Sequence, residues 1–271
     1  MADPVLIDDP DDDRIADFVR LKDPDLRRQR ASSHGAAGRS FIAEGAKVIR
    51  SLLASRYPVR ALLLTPLRWE GLRAALGEVK APVYVASQEI VNQVSGFPLH
   101  RGALASADRL PLDSLDEVCV GARLVVATEG VNDHENLGAL FRSAAAFGVD
   151  AVLLDPTSCD PLYRRCVRVS MGHVLHVPFT RLPAGATGIA ALQALGFEVL
   201  ALTPAADAID VGTLTRGERP RAVLLGAEGP GLSAAALGQA DLRVRIPMVD
   251  GVDSLNVTTA GAIVMHELSR L

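Results

Sequence analysis

Three stretches of this 271-residue chain place polar groups where they could do chemistry. The first is Asn136-Leu137-Gly138-Ala139-Leu140-Phe141-Arg142. Asn136 can cap a helix. Gly138 lets another backbone or a ligand approach closely. Arg142 follows nearly two turns later, where helical neighbours share a face. An arginine among Leu140, Phe141, Ala144 and Ala145 needs an anionic partner. That partner is either an internal carboxylate or a phosphate or electrophilic centre brought by a substrate. The second stretch is Leu224-Leu225-Gly226-Ala227-Glu228-Gly229-Pro230-Gly231-Leu232. Here an apolar strand runs into a glycine-rich turn that exposes backbone N–H and C=O groups. Glu228 is then either a helix-capping acid or a carboxylate at the C-terminal edge of a sheet, where α/β proteins bind ligands. The third is Ile246-Pro247-Met248 followed by Ser254-Leu255-Asn256-Val257-Thr258-Thr259-Ala260-Gly261. Ser254 or Asn256 caps a helix there or offers its polar group to a substrate. Ala260, Gly261 and Ala262 suit close helix packing.

The common α/β chemistries lack their signatures. Gly226–Gly231 reads G-A-E-G-P-G, which is not the G-x-G-x-x-G dinucleotide turn and lies far from any first strand. No G-x-x-x-x-G-K-[ST] phosphate loop, H-E-x-x-H pair or G-x-S-x-G elbow occurs. His173 and His176 have no third ligand nearby and read as structural residues. Cys119, Cys159 and Cys166 lack metal-type spacing, so no metal is expected.

These stretches need a scaffold. Apolar runs at Leu124–Ala127, Ala151–Leu154, Val199–Thr203, Ala222–Leu225 and Arg243–Pro247 read as buried strands of a parallel sheet. Helices are expected at Leu137–Phe147 and Ile189–Leu195, each stopped by a following glycine, and at Leu255–Leu271. A smaller α/β unit precedes them. It has helices at Phe41–Ser55, Trp69–Leu76 and Gln88–Val94 and strands at Val59–Thr65, Pro82–Ala86 and Ala103–Ala107. Residues 1–13, with six aspartates, read as a disordered acidic tail. Residues 14–30 suit a short helix and 31–39 a loop. The first domain then spans 14–110, a linker 111–119, and the second domain 120–271.

Composition sets outer bounds. At 49% hydrophobic and 22% charged, the chain is of ordinary globular type. No apolar run is long enough to span a bilayer, and the acidic start lacks the apolar core of a signal peptide. A cytoplasmic protein is therefore expected, and the sparse cysteines agree. The net charge of −4 is not that of a typical nucleic-acid binder. Only residues 41–110 lean basic, with 9 cations against 5 anions. Lysines number just three among 28 cations; arginine suits bidentate phosphate contact, although genomic composition gives the same bias.

Taken together and in this order, the three stretches resemble the motifs of the SpoU (TrmH-like) family of RNA ribose methyltransferases in the SPOUT superfamily. Arg168-Val169-Ser170-Met171-Gly172 matches the family's R-x-S-x-G segment. Phe41-Ile42-Ala43-Glu44-Gly45 and Arg101-Gly102-Ala103-Leu104-Ala105 look like marks of an attached ribosomal-protein L30e-like substrate domain. Two departures stand out: Thr258 where serine is commoner, and Asp133-His134-Glu135 where a proline–glycine turn is usual.

The resemblance implies a SPOUT-type parallel sheet with a C-terminal trefoil knot, joined to the L30e-like α/β domain. It implies S-adenosylmethionine held by Thr203, Gly226, Glu228, Gly229, Ile246, Met248, Leu255 and Asn256. It also implies a homodimer whose site is completed across the interface, without metal. Arg142 takes the central catalytic role, with Asn136, Glu228, Ser254 and Asn256 positioning it and the ribose. A guanidinium is a poor base, so Arg142 is expected to stabilise the developing alkoxide and adjacent phosphate. Arg101, Arg142 and Arg168, with the N-terminal arginines, are expected to meet RNA, ribosomal RNA before tRNA. The alternatives are a same-fold tRNA or base-nitrogen methyltransferase and a non-catalytic RNA-binding assembly factor.

Overall fold

The computed structural model describes residues 3–19, 21, 40–99, 101–215 and 217–270. Most of the expected 14–30 helix, the 31–39 loop and Arg27, Arg28 and Arg30 lie outside them. The chain divides into two compact units, Met1–Leu110 with Leu162–Leu175, and Pro111–Pro161 with His176–Leu271.

The first unit holds a five-stranded sheet. Its strands are β1 (Val5–Ile7), β2 (Ser40–Glu44), β3 (Val59–Leu64), β4 (Val83–Ala86) and β5 (Ala103–Asp108), in the order β1-β4-β3-β5-β2. Three helices precede or follow these strands: α1 (Ala46–Leu53), α2 (Pro66–Leu72) and α3 (Gln88–Ser95). Three expectations are corrected here. The start of the chain is not a disordered tail, because β1 pairs in parallel with β4, Val5 opposite Tyr84. Ile7, Ile15, Phe18 and Leu21 join its core, so apolar burial holds a segment that its aspartates made look solvated. Phe41–Ser55 is not one helix. Gly45 sits at φ +96, a left-handed backbone that ends β2 before α1 begins. Finally, Leu162–Leu175 belongs with this unit. Buried Glu44 pairs with Arg164 at 2.5 Å and lies 3.7 Å from Arg168, at the end of the helix Arg164–Val169.

The second unit is a seven-stranded sheet in the order β10-β12-β9-β11-β6-β7-β8. The strands are β6 (Leu124–Glu129), β7 (Ala151–Leu154), β8 (Phe179–Arg181), β9 (Glu198–Leu202), β10 (Ile209–Asp210), β11 (Arg221–Gly226) and β12 (Leu242–Arg245). Every pairing in it is parallel. The helices are α4 (Leu115–Cys119), α5 (His134–Ala146), then α6 (Arg164–Val169, in the first unit), α7 (Gly185–Ala194), α8 (Ala234–Gln239) and α9 (Val257–Ser269). The expected 111–119 linker contains α4, started by a Ser114–Glu117 capping box. Adjacent residues such as Val125 and Val126, or Leu224 and Leu225, point to opposite faces and are all buried, so helices must cover both faces. On one face α9 packs close to α5 and β11. A Cβ at Gly261 would meet Leu140 Cδ2 at 2.7 Å and Leu225 Cδ1 at 2.9 Å.

Two carboxylates tie this unit together. Asp241 accepts from the Val199 N–H at 2.8 Å. Asp155 accepts from the N–H groups of Gly130 at 3.0 Å and Ser158 at 2.9 Å. Burial pushes the Asp155 carboxyl up, but hydrogen bonds from Ser158, Thr157 and Gly130 outweigh it and hold it below the usual carboxylate range. Asp241 is held down in the same way. A depressed folded-state value gives stability that is present above the unfolded aspartate pKa of about 3.9 and lost as pH falls through the lower, folded value. The urea midpoint is therefore expected to hold down to about pH 4 and to fall below it. Asp155→Asn should flatten that acid limb; an unchanged limb would contradict the assignment.

Candidate active site

Parallel sheets place their loops at the carboxyl ends of the strands, where ligands bind. Here the loops after β9, β11 and β12 surround one cavity of about 600 Å3. Its walls include Thr203 and Pro204 from the first loop, Gly226–Leu232 from the second, and Ile246, Met248 and Ser254–Val257 from the third. Every residue expected to hold cofactor lines it. The β11 loop is folded back on itself: Gly231 N–H donates to the Ala227 carbonyl at 3.0 Å. That closure leaves no room at Gly226, where a Cβ would lie 2.3 Å from the Gly231 carbonyl carbon.

A polar triangle stands at the cavity rim. Glu228 Oε1 accepts from Asn136 Nδ2 at 2.6 Å and from Asn256 Nδ2 at 2.8 Å. Asn256 Nδ2 also reaches Asn136 Oδ1 at 3.2 Å. Asn256 meanwhile caps α9, its Oδ1 accepting from the Thr258 N–H at 2.9 Å and Oγ1 at 2.6 Å. The hydroxyl kept by threonine at 258 is thus used. Both amides converge on one carboxylate oxygen, and Oε2 has no partner among the described residues. Glu228 is therefore held by the other motifs and does not cap a helix.

Asn136 is not the helix cap. Asp133 is, accepting from the N–H groups of Glu135 at 2.8 Å and Asn136 at 2.9 Å. The unusual Asp133-His134-Glu135 segment therefore supplies the cap and frees the Asn136 side chain for the triangle. Asp133, three residues before Asn136, is the readable signal.

Arg142 is exposed, makes no hydrogen bond or ion pair with any described residue, and does not line the cavity. The internal salt bridge is thus absent. Six residues turn a helix through roughly 600°, which carries Arg142 off the face of Asn136. The expectation of a shared face is corrected on that ground. Ser254 lies on the cavity wall. Arg168 and Arg101 lie in the first unit, and the Arg101 carbonyl accepts from Arg68 Nε at 2.8 Å.

Among the described residues no three His, Cys, Asp or Glu groups gather as a metal site, and no helix is long and apolar enough to cross a membrane. The three cysteines are free.

A cavity at the carboxyl ends of a parallel sheet, with a rim of amides and a carboxylate, defines a ligand-binding α/β protein of the small-molecule type. The chain belongs to the SpoU rRNA methylase family of RNA methyltransferases, whose model matches residues 123–266. It is 47% identical over 264 residues to an uncharacterised tRNA/rRNA methyltransferase of Mycobacterium tuberculosis, covering 97% of this chain and 90% of that one. The structure of an S-adenosylmethionine-bound rRNA methyltransferase from Sinorhizobium meliloti superposes with a TM-score of 0.75 at 26% identity, over 93% of this chain and 96% of that one. A structure described as an RNA 2′-O ribose methyltransferase gives a TM-score of 0.73 at 26% identity, over 99% and 98% of the two chains.

Proposed function

We propose that this protein transfers a methyl group from S-adenosylmethionine to a ribose 2′-hydroxyl, in ribosomal RNA rather than tRNA. The observation that carries the reading is the cavity formed by the β9, β11 and β12 loops, with Asn136, Glu228 and Asn256 joined at its rim. Its size of about 600 Å3 suits a nucleoside-sized cofactor. Its walls fit as well: folded-back backbone offers N–H and C=O groups, while Ile246, Leu255 and Val257 give apolar contact.

When bound, S-adenosylmethionine would supply an activated methyl group for transfer to the ribose oxygen. The protein's part is alignment and charge. Asn136 and Asn256 hold Oε1 of the Glu228 carboxylate, which leaves Oε2 to accept a hydrogen bond from a ribose hydroxyl. Ser254 offers a second hydroxyl on the same wall. Arg142 stabilises the charge that develops on the ribose oxygen as its proton passes to the Glu228 carboxylate, and it holds the neighbouring phosphate.

Because Arg142 does not line its own chain's cavity, the working site is a homodimer in which a second copy completes it. The knotted path expected for the family belongs to this reading: the chain crosses the loops of β11 and β12 to seat the cofactor. The basic first unit, with Arg101 and Arg168, grips structured RNA by shape and phosphate. The reaction runs in the cytoplasm, where Cys119, Cys159 and Cys166 stay reduced.

Incubation with radiolabelled S-adenosylmethionine and separate unmodified rRNA and tRNA pools tests the reading. Label in the rRNA pool that vanishes with Arg142→Ala supports it. Label only in tRNA overturns the choice of substrate. A protein that neither labels RNA nor binds the cofactor is an RNA-binding factor instead.

A further inference from the structure

The turn that launches α5 is pinned from below by a buried group of side chains outside the three motifs. Asp155, 5% exposed, follows β7, and its carboxylate accepts from the Gly130 N–H at 3.0 Å. It also accepts from the Ser158 N–H at 2.9 Å and hydroxyl at 2.5 Å. Ser158 Oγ, held this way, accepts from the Val131 N–H at 3.2 Å and shares a 2.8 Å hydrogen bond with Thr128 Oγ1. The Val131 carbonyl accepts from the Cys159 N–H at 3.0 Å. Arg181 Nη1 closes the loop from outside by donating to the carbonyls of Asp155 at 3.1 Å and Ser158 at 3.2 Å. Both polar backbone atoms of Val131 and the N–H of Gly130 are thereby fixed. Asp133 caps α5 two residues later.

Gly130 ties this turn to the cavity. It sits at φ +75, and a Cβ there would lie 3.2 Å from Ala227 Cβ and 3.7 Å from Thr157 Oγ1. The turn therefore packs between the Asp155–Ser158 loop and the β11 loop that carries Glu228.

We propose that Asp155 and Ser158 are positioning residues for methyl transfer: they hold the Gly130–Val131 turn so that α5 presents Asn136 to Glu228 and Arg142 to the substrate. This rests on the reading of Asn136 and Arg142 given above. Neither positioning residue touches the cofactor cavity. Loosening the turn should tilt the helix and cost turnover, because misplacement of catalytic groups by about 1 Å can cost up to about a hundredfold.

Ser158→Ala removes the hydroxyl's bonds to Val131, Asp155 and Thr128 and keeps the bond from the Ser158 N–H to Asp155. Thr157→Val is the control, since the Thr157 hydroxyl binds the same carboxylate but not the turn. Hydrogen–deuterium exchange of the free protein reads the clamp without any activity. Peptides covering 130–142 are expected to exchange faster in Ser158→Ala and as wild type in Thr157→Val. With RNA, kcat should fall about tenfold in Ser158→Ala, while KM for RNA and the S-adenosylmethionine Kd stay within about twofold. Unchanged exchange at 130–142 overturns the proposal. So does a kcat loss accompanied by an equal loss of cofactor binding, which marks general destabilisation. If wild type labels no RNA, the functional reading fails, while the exchange comparison still decides whether the clamp exists.

Discussion

Arg142→Ala is expected to lower kcat for methyl transfer by about a hundredfold to a thousandfold, the range for losing one donor to a developing oxyanion. The S-adenosylmethionine Kd should stay within about twofold, because Arg142 does not line the cavity. The physical reason is that it has no partner among the described residues. An exposed guanidinium with no carboxylate partner has little to do for stability, so the melting temperature should barely move. Its five donors instead remain available to a phosphate and an alkoxide. Arg142→Lys separates two versions of the role. Lysine keeps the charge and loses the planar fork, so activity near that of alanine identifies bidentate contact. Near-normal turnover in the lysine variant would show that charge alone suffices. Wild-type turnover in the alanine variant would remove Arg142 from the site altogether.

The second large effect concerns the cavity itself. Gly226→Ala should weaken S-adenosylmethionine binding at least about tenfold and cost about 1–3 kcal/mol of stability. The added Cβ would lie 2.3 Å from the Gly231 carbonyl carbon and 2.4 Å from the Leu232 nitrogen, and neither is a flexible side-chain end. The Ala227–Gly231 loop would have to open, carrying Glu228 away from Asn136 and Asn256. Gly229→Ala is the contrasting substitution. Its Cβ would meet nothing within 4 Å, and only its φ of +85 opposes the change. That strain is worth on the order of 1 kcal/mol. Calorimetric titration and thermal melts of both variants check the pair. Equal cofactor affinity in the two would mean that loop closure does not shape the cavity.

Particular residues show how far the chain could be read before its structure was known. The strands of the parallel sheet were legible because burial on both faces leaves near-continuous apolar runs, as at Leu124–Ala127 and Ala222–Leu225. The β11 and β12 loops were legible because each pairs glycine or proline with one or two polar groups just past such a run, whereas Thr203 after β9 follows only from the family resemblance. Phe41–Gly45 misled, since Phe41, Ile42, Val48 and Ile49 satisfy a helical spacing across a break that only the backbone of Gly45 reveals. The first residues misled for the opposite reason. Val5-Leu6-Ile7 is too short to stand out among aspartates, and its place at the sheet edge rests on backbone pairing with β4. Arg168 was assigned by chain order to the second domain, but its segment packs with the first, where Glu44 draws the arginines. The Asp155-Pro156-Thr157-Ser158 turn had a readable signature, since Asp, Pro and Ser after a strand favour side-chain-to-backbone bonds. What it clamps is a long-range contact that no local pattern encodes.

The most direct test is the identity of the methylated atom. RNA incubated with S-adenosylmethionine carrying a deuterated methyl group is digested to nucleosides and analysed by mass spectrometry. The expected result is a labelled nucleoside that loses its mass shift together with the ribose on glycosidic cleavage, and that vanishes when Arg142→Ala replaces wild type. Label that stays with the base after cleavage would contradict ribose 2′-oxygen methylation.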